Sequence, residues 1–190
     1  MLYFASHNPH KINEIRAIIG PDLVVGGLAD LGCDEDIPEP YGTLEENALA
    51  KAGFVAEKYQ VDCFADDTGL EVDALGGLPG VHSARYAGPD KDSGKNMQKL
   101  LDELRDTNQR KARFRTVIAL ILNGRHYFFE GVAEGRIAYQ PSGRQGFGYD
   151  PIFIPDGYHK TFADLSAGEK NKISHRKQAM ARLAAFLQAH

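Results

Sequence analysis

The stretch LYFASHNPHKINEIRAII, residues 2–19, predicts a strand, a loop and a helix in succession. Leu2–Ala5 is a short apolar run of the kind that forms a buried strand. Over Lys11–Ile19 the isoleucines recur on one helical face, and Gly20 is suited to end the helix. A strand that passes through a short loop into a helix indicates an α/β protein.

Two capping signals mark helix starts further along the chain. Thr43 precedes Glu46 by three residues, which is the spacing of a capping box, and an apolar helical face follows. Ser166 and Glu169 repeat this spacing, and we expect a break near Ser174 before a final helical stripe. The second half of the chain therefore also ends in helices.

A pair of strands in the second half predicts a mixed sheet. A helix is predicted over Lys95–Arg105 and a strand over Phe114–Leu122. Asn123-Gly124 is a two-residue hairpin signal, so the strand that starts near His126 and runs toward Tyr139 returns antiparallel. The fold class predicted is α/β, with helices flanking a mixed sheet.

Length and composition indicate an ordinary globular protein. The chain has 190 residues, 43% hydrophobic and 25% charged, enough for one domain over residues 1–190 with a sizeable core and room for two lobes. Its 22 basic and 26 acidic side chains give a formal charge of −4, which argues against a general nucleic-acid binder. A phosphate ligand must therefore be bound by individually placed residues.

Cysteine spacing and hydropathy indicate a reduced, cytoplasmic protein. Cys33 and Cys63 lie in no metal-ligand pattern, so neither a zinc site nor a disulfide framework is expected. The N-terminus lacks a basic start followed by a long apolar run, and no stretch approaches the roughly 20 apolar residues of a membrane span. We expect no membrane partner.

Asp66 and Asp67 stand between an apolar run, Cys63–Ala65, and a glycine-rich segment, Thr68–Gly80. We expect a strand to end at these carboxylates, at the mouth of a loop that a ligand can approach closely. Such hard oxygen ligands suit Mg²⁺ and a phosphate. A solvated acidic turn has the same pattern, so the residues alone leave both interpretations open.

The loop before the first helix, Ser6–Lys11, combines small polar donors with a lysine at a helix N-terminus. Free amides and the helix dipole favour an anion there, and Lys11 adds a charge-assisted contact. The loop lacks the pattern of a P-loop, so on these residues alone ordinary N-capping by Ser6 or Asn8 is the favoured interpretation.

Glu39 and Lys51 are two further candidates with ordinary alternatives. Glu39 lies between Pro38 and Pro40 in a stiff loop that suits a metal ligand or a plain connector. Lys51 falls on the second predicted helix, where lysines are usually in solvent.

Phe147 lies between Gly146 and Gly148, and Asp150 follows. The ring can stack on a nucleobase while Asp150 and neighbouring backbone groups bind its edge, with glycines permitting close approach. A hydrophobic turn between two strands is the alternative.

A cluster of cationic and hydrogen-bonding side chains surrounds the last predicted helix start. Its charge and its donors suit a phosphate ligand, and a helix rich in surface charge has the same appearance. The cluster contains Lys170, Ser174, His175 and Arg176.

Taken together, these segments resemble the inosine and xanthosine triphosphate pyrophosphatases, and the resemblance covers nearly the whole chain. It rests on ordered motifs: Ser6–Lys11, Glu45–Ala48 with Lys51-Ala52, Ala65–Leu70, Gly77–Tyr86, Gly146–Phe153 and Ser174–Arg176. The resemblance implies an elongated mixed sheet with two lobes around a central substrate groove. It also implies a homodimer, a requirement for Mg²⁺, and a nucleoside triphosphate substrate that is hydrolysed to the monophosphate and pyrophosphate.

The same resemblance assigns roles in the phosphate chemistry. Asp67 matches the catalytic carboxylate, which would bind Mg²⁺ and take a proton from the attacking water, and Glu39 matches a second metal ligand. Lys11, Lys51 and Lys170 would neutralise the triphosphate and the leaving pyrophosphate. Sequence spacing does not decide whether Asp66 shares the role of Asp67.

The resemblance also assigns the purine contacts. Phe147 would stack on the base, while Asp150, His175 and Arg176 would bind its edge and select a C6 oxygen over an amino group. The full set of substrate-binding residues that it implies is Ser6, His7, Asn8, Pro9, His10, Lys11, Lys51, Thr68, Phe147, Gly148, Tyr149, Asp150, Lys170, His175 and Arg176.

Two positions depart from the family pattern, and two other functions stay open. His7 replaces a glycine and Thr68 replaces a serine. A related pyrophosphatase for pyrimidine or modified nucleotides would share the triphosphate residues and differ at the base. A nucleotide-binding regulatory module without turnover is the more distant alternative, and it would not require a water-activating carboxylate.

Overall fold

The computed structural model describes residues 1–19 and 24–189, with the side chain of Ile19 left out. The chain forms two compact units. The first unit contains Met1–Asp67, Thr116–Gly131 and Arg176–His190. The second unit contains Thr68–Arg115 and Val132–His175.

Seven strands and five α-helices make up the regular structure of the described residues. The strands are β1 (Leu2–Phe4), β2 (Val25–Gly27), β3 (Cys63–Val72), β4 (Pro79–Gly80), β5 (Lys111–Leu122), β6 (Arg125–Ile137) and β7 (Phe153–Pro155). The helices are α1 (Pro9–Ile19), α2 (Leu44–Tyr59), α3 (Ser93–Glu103), α4 (Ala167–Ile173) and α5 (His175–Gln188). Short 3₁₀ helices cover Leu28–Leu31, Asp73–Leu75, Ser83–Arg85, Asp150–Ile152 and Phe162–Asp164.

The strands form one mixed sheet in the order β2-β1-β3-β5-β6-β7, with β4 paired to β3. β1 is parallel to both β2 and β3, whereas β4 and β7 are antiparallel to their neighbours. The hairpin between β5 and β6 turns at Asn123 and Gly124, whose φ angles of 50° and 73° suit a two-residue turn. The predicted α/β fold with a mixed sheet and flanking helices is confirmed.

The helix signals in the sequence correspond to real helix starts. Thr43 caps α2 by accepting from the amide of Glu46, and Ser166 with Glu169 forms a complete capping box before α4. Ser174, with φ −69° and ψ 149°, separates α4 from α5 as expected. The predicted stop at Gly20 lies outside the described residues.

The strand that carries the two aspartates is longer than predicted. We expected it to end at Asp66 and Asp67, but β3 continues to Val72. That prediction was wrong because β4 pairs closely with the second half of β3: a Cβ on Gly69 would lie 2.6 Å from the Gly80 carbonyl oxygen. Glycine is needed here for close backbone approach inside a strand rather than for a turn.

In the first unit, helices cover the sheet on both faces. Residues of α2 pack on the face that includes Cys63, Ala65 and Ala119. Residues of α1 and α5 pack on the opposite face, with Phe64 and Ile118. Because successive strand residues point to opposite faces, neighbouring residues of β3 enter different layers.

The second unit has one apolar core. It is built from residues of β3, α3, β5, β6 and β7, and it includes Leu70, Leu100, Phe114 and Phe153. In the same unit Arg110 is buried and donates to the carbonyl oxygens of Leu104, Ile137 and Ala138.

Cys33 and Cys63 are both buried free thiols. In the described part of the chain, the helices are too short or too polar to cross a membrane.

Candidate active site

Asp66 and Asp67 are neighbours on β3 with different surroundings. Both side chains are buried, so the alternative of a solvated acidic turn is excluded. Asp66 follows the alternation of Phe64 and faces α1 and α5, whereas Asp67 follows Ala65 and faces α2. The pleat of the strand therefore gives each carboxylate a separate set of partners.

Asp66 is held between two cations. Its Oδ1 accepts from Lys11 Nζ at 3.0 Å, and its Oδ2 lies 3.4 Å from Arg176 Nε. Burial alone would raise the pKa of Asp66, but the charges of Lys11 and Arg176 outweigh it and hold that pKa well below its ordinary value. Asp66 is therefore a permanent anion that fixes Lys11 and Arg176 in place.

Asp67 is less strongly stabilised by cations than Asp66. Its Oδ1 lies 3.9 Å from Lys51 Nζ, which also donates to the carboxylate of Glu39 and to the Asp66 carbonyl oxygen at 2.7 Å. Burial raises the pKa of Asp67 to about 6, with contributions from the negative charges of Glu39 and Asp66, against the lowering effect of Lys51 and Lys11. A carboxylate with a pKa near neutrality is suited to accept a proton during catalysis.

Lys51 is a buried cation rather than a surface lysine. Burial would lower its pKa, but Asp67 and Glu39 raise it, so the ammonium stays charged. The pKa of Glu39 is lowered, because the attraction to Lys51 outweighs the effect of burial. Lys51 thus joins two carboxylates that come from different parts of the chain.

Glu39 and Asp67 suit a magnesium ion. Within residues 1–19 and 24–189, no group of three or more His, Cys, Asp or Glu side chains is arranged to hold a metal. Mg²⁺, however, commonly uses one or two carboxylates together with waters and substrate phosphates. Glu39 and Asp67 already converge on one cationic group, Lys51 Nζ, and both supply hard oxygen donors. The residues present therefore fit the ion that the resemblance implies.

The loop before α1 shows the N-capping that the sequence left open. Asn8 Oδ1 accepts from the amides of His10 and Lys11 at 3.0 and 3.3 Å, and Ser6 Oγ accepts from the amide of Asn8. Pro9 opens the helix, a position where its missing N–H is not needed. Capping orders this loop, and its role toward an anion stays a prediction.

In the second unit, Asp150 organises the loop of Phe147. Its Oδ2 accepts from the Phe147 amide at 2.8 Å and from Lys170 Nζ at 2.7 Å. Gly146 has φ +76°, and a Cβ there would lie 2.0 Å from the same oxygen. Lys170 Nζ lies 5.0 Å from the centroid of the Phe147 ring. Phe147 thus lies next to the buried ion pair of Lys170 and Asp150.

Two more predicted site residues have structural contacts in this unit. The ring of His175 stacks on Phe114, with centroids 4.7 Å apart and an interplanar angle of 16°. Tyr149 donates its hydroxyl to the Ser83 carbonyl oxygen at 2.8 Å, and burial raises the pKa of that hydroxyl. These contacts fix the two side chains in orientation.

The predicted site residues fall into two sets. Thr68 and Gly148 belong to the second unit, together with Phe147 and its partners. Lys170 was expected at the triphosphate, but it contacts Asp150 in the second unit. Arg176 was expected at the nucleobase, but it contacts Asp66 in the first unit. The substrate roles of Lys170 and Arg176 stay predictions.

Glu14 is a further charged residue of this site that the sequence did not predict. This residue of α1 forms an ion pair with Arg176, which is almost fully buried. Its position three residues after Lys11 places the two on neighbouring turns of one helix, and that spacing was the available signal.

Known proteins that are similar to this chain support the family that its motifs indicate. The model of the Ham1 family matches residues 2–186. The chain belongs to the Ham1 family. A Porphyromonas gingivalis protein named dITP/XTP pyrophosphatase is 54% identical over 98% of this chain and 96% of its own length. A Flavobacterium psychrophilum protein of the same name is 52% identical over 97% of each chain.

A solved structure of a Ham1 family protein supports the fold. The Staphylococcus aureus Ham1 protein superimposes with a TM-score of 0.90 at 43% identity, over 99% of this chain and 98% of that one. Together with the named relatives, this match confirms the predicted resemblance to the inosine and xanthosine triphosphate pyrophosphatases. The family match covers residues 2–186, a range that includes both Asp67 and Phe147.

Proposed function

We propose that this chain hydrolyses deaminated purine nucleoside triphosphates, dITP, ITP and XTP, to the monophosphate and pyrophosphate with Mg²⁺. Such an activity would remove these nucleotides before their incorporation into DNA and RNA. The main support is the pair of unlike aspartates on β3: Asp66 is held between Lys11 and Arg176, whereas Asp67 lies beside Lys51, which also pairs with Glu39. The names of the relatives support the substrate class.

Asp67 is the group that would accept a proton from the attacking water. Asp66 is unsuited to this task because its charge is already neutralised by Lys11 and Arg176. A base with a pKa near the working pH combines a large deprotonated fraction with useful basicity. These contacts favour Asp67 over Asp66 for the role that sequence spacing left open.

Lys11, Lys51 and the N-terminus of α1 are the groups we assign to the triphosphate. Both ammonium groups lie next to Asp66 or Asp67, so they are held where negative charge would develop on the pyrophosphate. Glu39 and Asp67 would hold Mg²⁺, which supplies polarisation of phosphoryl oxygens and a lowered pKa of bound water. Thr68 and Asn8 would add hydrogen bonds.

We assign binding of the nucleobase to the residues around Phe147. Phe147 would stack on the purine, and its backbone is already fixed by Asp150. His175 and Arg176 would donate to the C6 oxygen of hypoxanthine or xanthine. Adenine presents an amino group there, and facing a donor with a donor costs orders of magnitude in selectivity.

The oligomeric state is proposed from the resemblance to the inosine and xanthosine triphosphate pyrophosphatases. We propose a cytoplasmic homodimer that binds no nucleic acid, in agreement with the net charge of −4. Light scattering coupled to size exclusion tests the dimer directly.

A substrate panel tests the activity. Pyrophosphate release with Mg²⁺ is measured for ITP, XTP, dITP, GTP, ATP, dTTP and UTP, and the nucleotide products are identified. We expect strong preference for ITP, dITP and XTP, with the monophosphate as product. Preference for pyrimidines would retain the phosphate site and overturn the base assignment. Binding without turnover would instead favour the regulatory module.

Phe147→Ala is expected to weaken base selection more than phosphate chemistry. Stacking contributes about 1–3 kcal/mol per base, so kcat/KM for dITP should fall roughly 5- to 160-fold while that for poor substrates such as ATP changes little. Competition assays between dITP and ATP measure this ratio. An equal loss for every nucleotide would contradict the stacking role.

A further inference from the structure

We propose that His7 is a positioning residue that braces the Glu39 loop, residues 33–42, against the loop before α1. His7 Nε2 lies 2.8 Å from the Glu35 carbonyl oxygen, so a hydrogen on Nε2 makes it the donor. Glycine, the residue that the resemblance leads us to expect at this position, has no side chain to make this contact. The inference rests on the proposed function, in which Glu39 holds Mg²⁺.

One face of α2 already holds the Glu39 loop along its length. Asn47 both accepts from the Tyr41 amide and donates to the Tyr41 carbonyl oxygen, at 2.9 and 3.1 Å. Lys51 pairs with the Glu39 carboxylate, and Lys58 pairs with the Glu35 carboxylate. With Asn47, Lys51 and Lys58 separated by four and seven residues, all three lie on the same side of the helix. Contacts with α2 therefore fix the loop from one direction.

His7 restrains the same loop from a different element. Its own loop is rigidly built, because Ser6 Oγ accepts from the Asn8 amide and Asn8 Oδ1 accepts from the amides that open α1. The imidazole thus connects an ordered anchor to Glu35, four residues before Glu39. The hydrogen bond connects the loop of a proposed metal ligand to the loop that leads into α1, the helix that contains Lys11.

As a consequence, the Glu39 loop and the loop before α1 are held at a fixed distance on two sides of the phosphate site. Without His7, the Glu39 loop keeps its contacts to α2 but loses its link to the loop before α1. Small displacements of a metal ligand reduce catalysis because the productive geometry tolerates little error. A single exposed hydrogen bond contributes only modestly, so we expect an effect of about fivefold.

Hydrogen exchange on the metal-free protein tests the brace without reference to activity. In His7→Ala, the amides of residues 34–42, other than the prolines at 38 and 40, should exchange about fivefold faster than in the wild type, and the melting temperature should change little. His7→Gln retains a donor and should restore most of the protection. His126→Ala, an exposed histidine of the first unit, is the matched control and should behave as wild type.

Steady-state kinetics with dITP then test the link to catalysis. His7→Ala should raise the Mg²⁺ concentration needed for half-maximal rate by about fivefold, with His7→Gln close to wild type. Unchanged exchange at residues 34–42 in His7→Ala would overturn the brace. Faster exchange with unchanged Mg²⁺ dependence would overturn its role in the reaction. A wild-type protein that does not hydrolyse dITP would overturn the proposed function while leaving the exchange result valid.

Discussion

Asp67→Asn is expected to abolish nucleotide hydrolysis, leave nucleotide binding measurable, and make the metal-free protein more stable near neutral pH. Loss of turnover follows from removing the proposed base and metal ligand, since asparagine cannot accept the proton. Binding persists because Lys11, Lys51 and the N-terminus of α1 are unchanged. Pyrophosphate release and isothermal titration with dITP measure the two properties separately.

The gain in stability follows from the sign of the pKa shift. Asp67 has an ordinary pKa of 3.8 in an unfolded chain and about 6 in the fold, so the native state binds the proton more tightly. Unfolding free energy therefore falls as the pH rises from about 4 to about 6. The full difference corresponds to about 3 kcal/mol, which is the upper limit of what asparagine restores at pH 7. Urea unfolding of the metal-free protein at pH 4, 5, 6 and 7 measures it.

Asp66→Asn is the matched control, and the expected change has the opposite sign. The pKa of Asp66 is lowered in the fold, so its charge stabilises the native state above its ordinary pKa and that stability is lost on acidification. Removing it leaves Lys11 and Arg176 without their shared carboxylate, which should cost about 3–5 kcal/mol at neutral pH. Near wild-type hydrolysis by Asp67→Asn would refute the assignment of the base. Loss of stability in both variants would refute the electrostatic account.

The sequence predicted the elements that depend on local chemistry. Thr43 and Ser166 mark helix starts because a capping hydroxyl and its amide partner are three residues apart. Asn123-Gly124 marks a hairpin because both positions need a positive φ. Such signals involve only neighbours in the chain, so no knowledge of packing is required.

Packing between elements that are distant in the chain could not be predicted from the sequence. Gly69 looks like part of a turn, but its role is to let β4 approach β3, which depends on a partner strand further along the chain. Lys170 and Arg176 are both cations near one helix break, and only the fold decides that Lys170 pairs with Asp150 and Arg176 with Asp66. Charge and spacing therefore indicated candidate residues for the site but did not predict which residues they pair with.

Lys170→Met is expected to destabilise the protein by about 3–5 kcal/mol, because it leaves the Asp150 carboxylate buried without its ammonium partner. The two side chains are only 6% and 4% exposed, and Nζ lies 2.7 Å from Oδ2. Lys172→Met is the control on the same helix, since Lys172 is far less buried and its loss should change the unfolding free energy by no more than about 0.5 kcal/mol. Equal losses in the two variants would contradict the importance of the buried pair.

The double variant Lys170→Met with Asp150→Asn separates the two roles open to Lys170. Neutralising both partners should recover about 2 kcal/mol, and the asparagine side chain that replaces Asp150 can still accept from the Phe147 amide. If Lys170 mainly supports Phe147, the folded double variant should lose more selectivity between dITP and ATP than Asp150→Asn alone, which controls for the role assigned to Asp150 at the nucleobase. If Lys170 instead neutralises the triphosphate, kcat/KM should fall by the same factor for every nucleotide. We expect the loss of selectivity, because the ammonium contacts both the carboxylate that orders the Phe147 loop and the face of its ring.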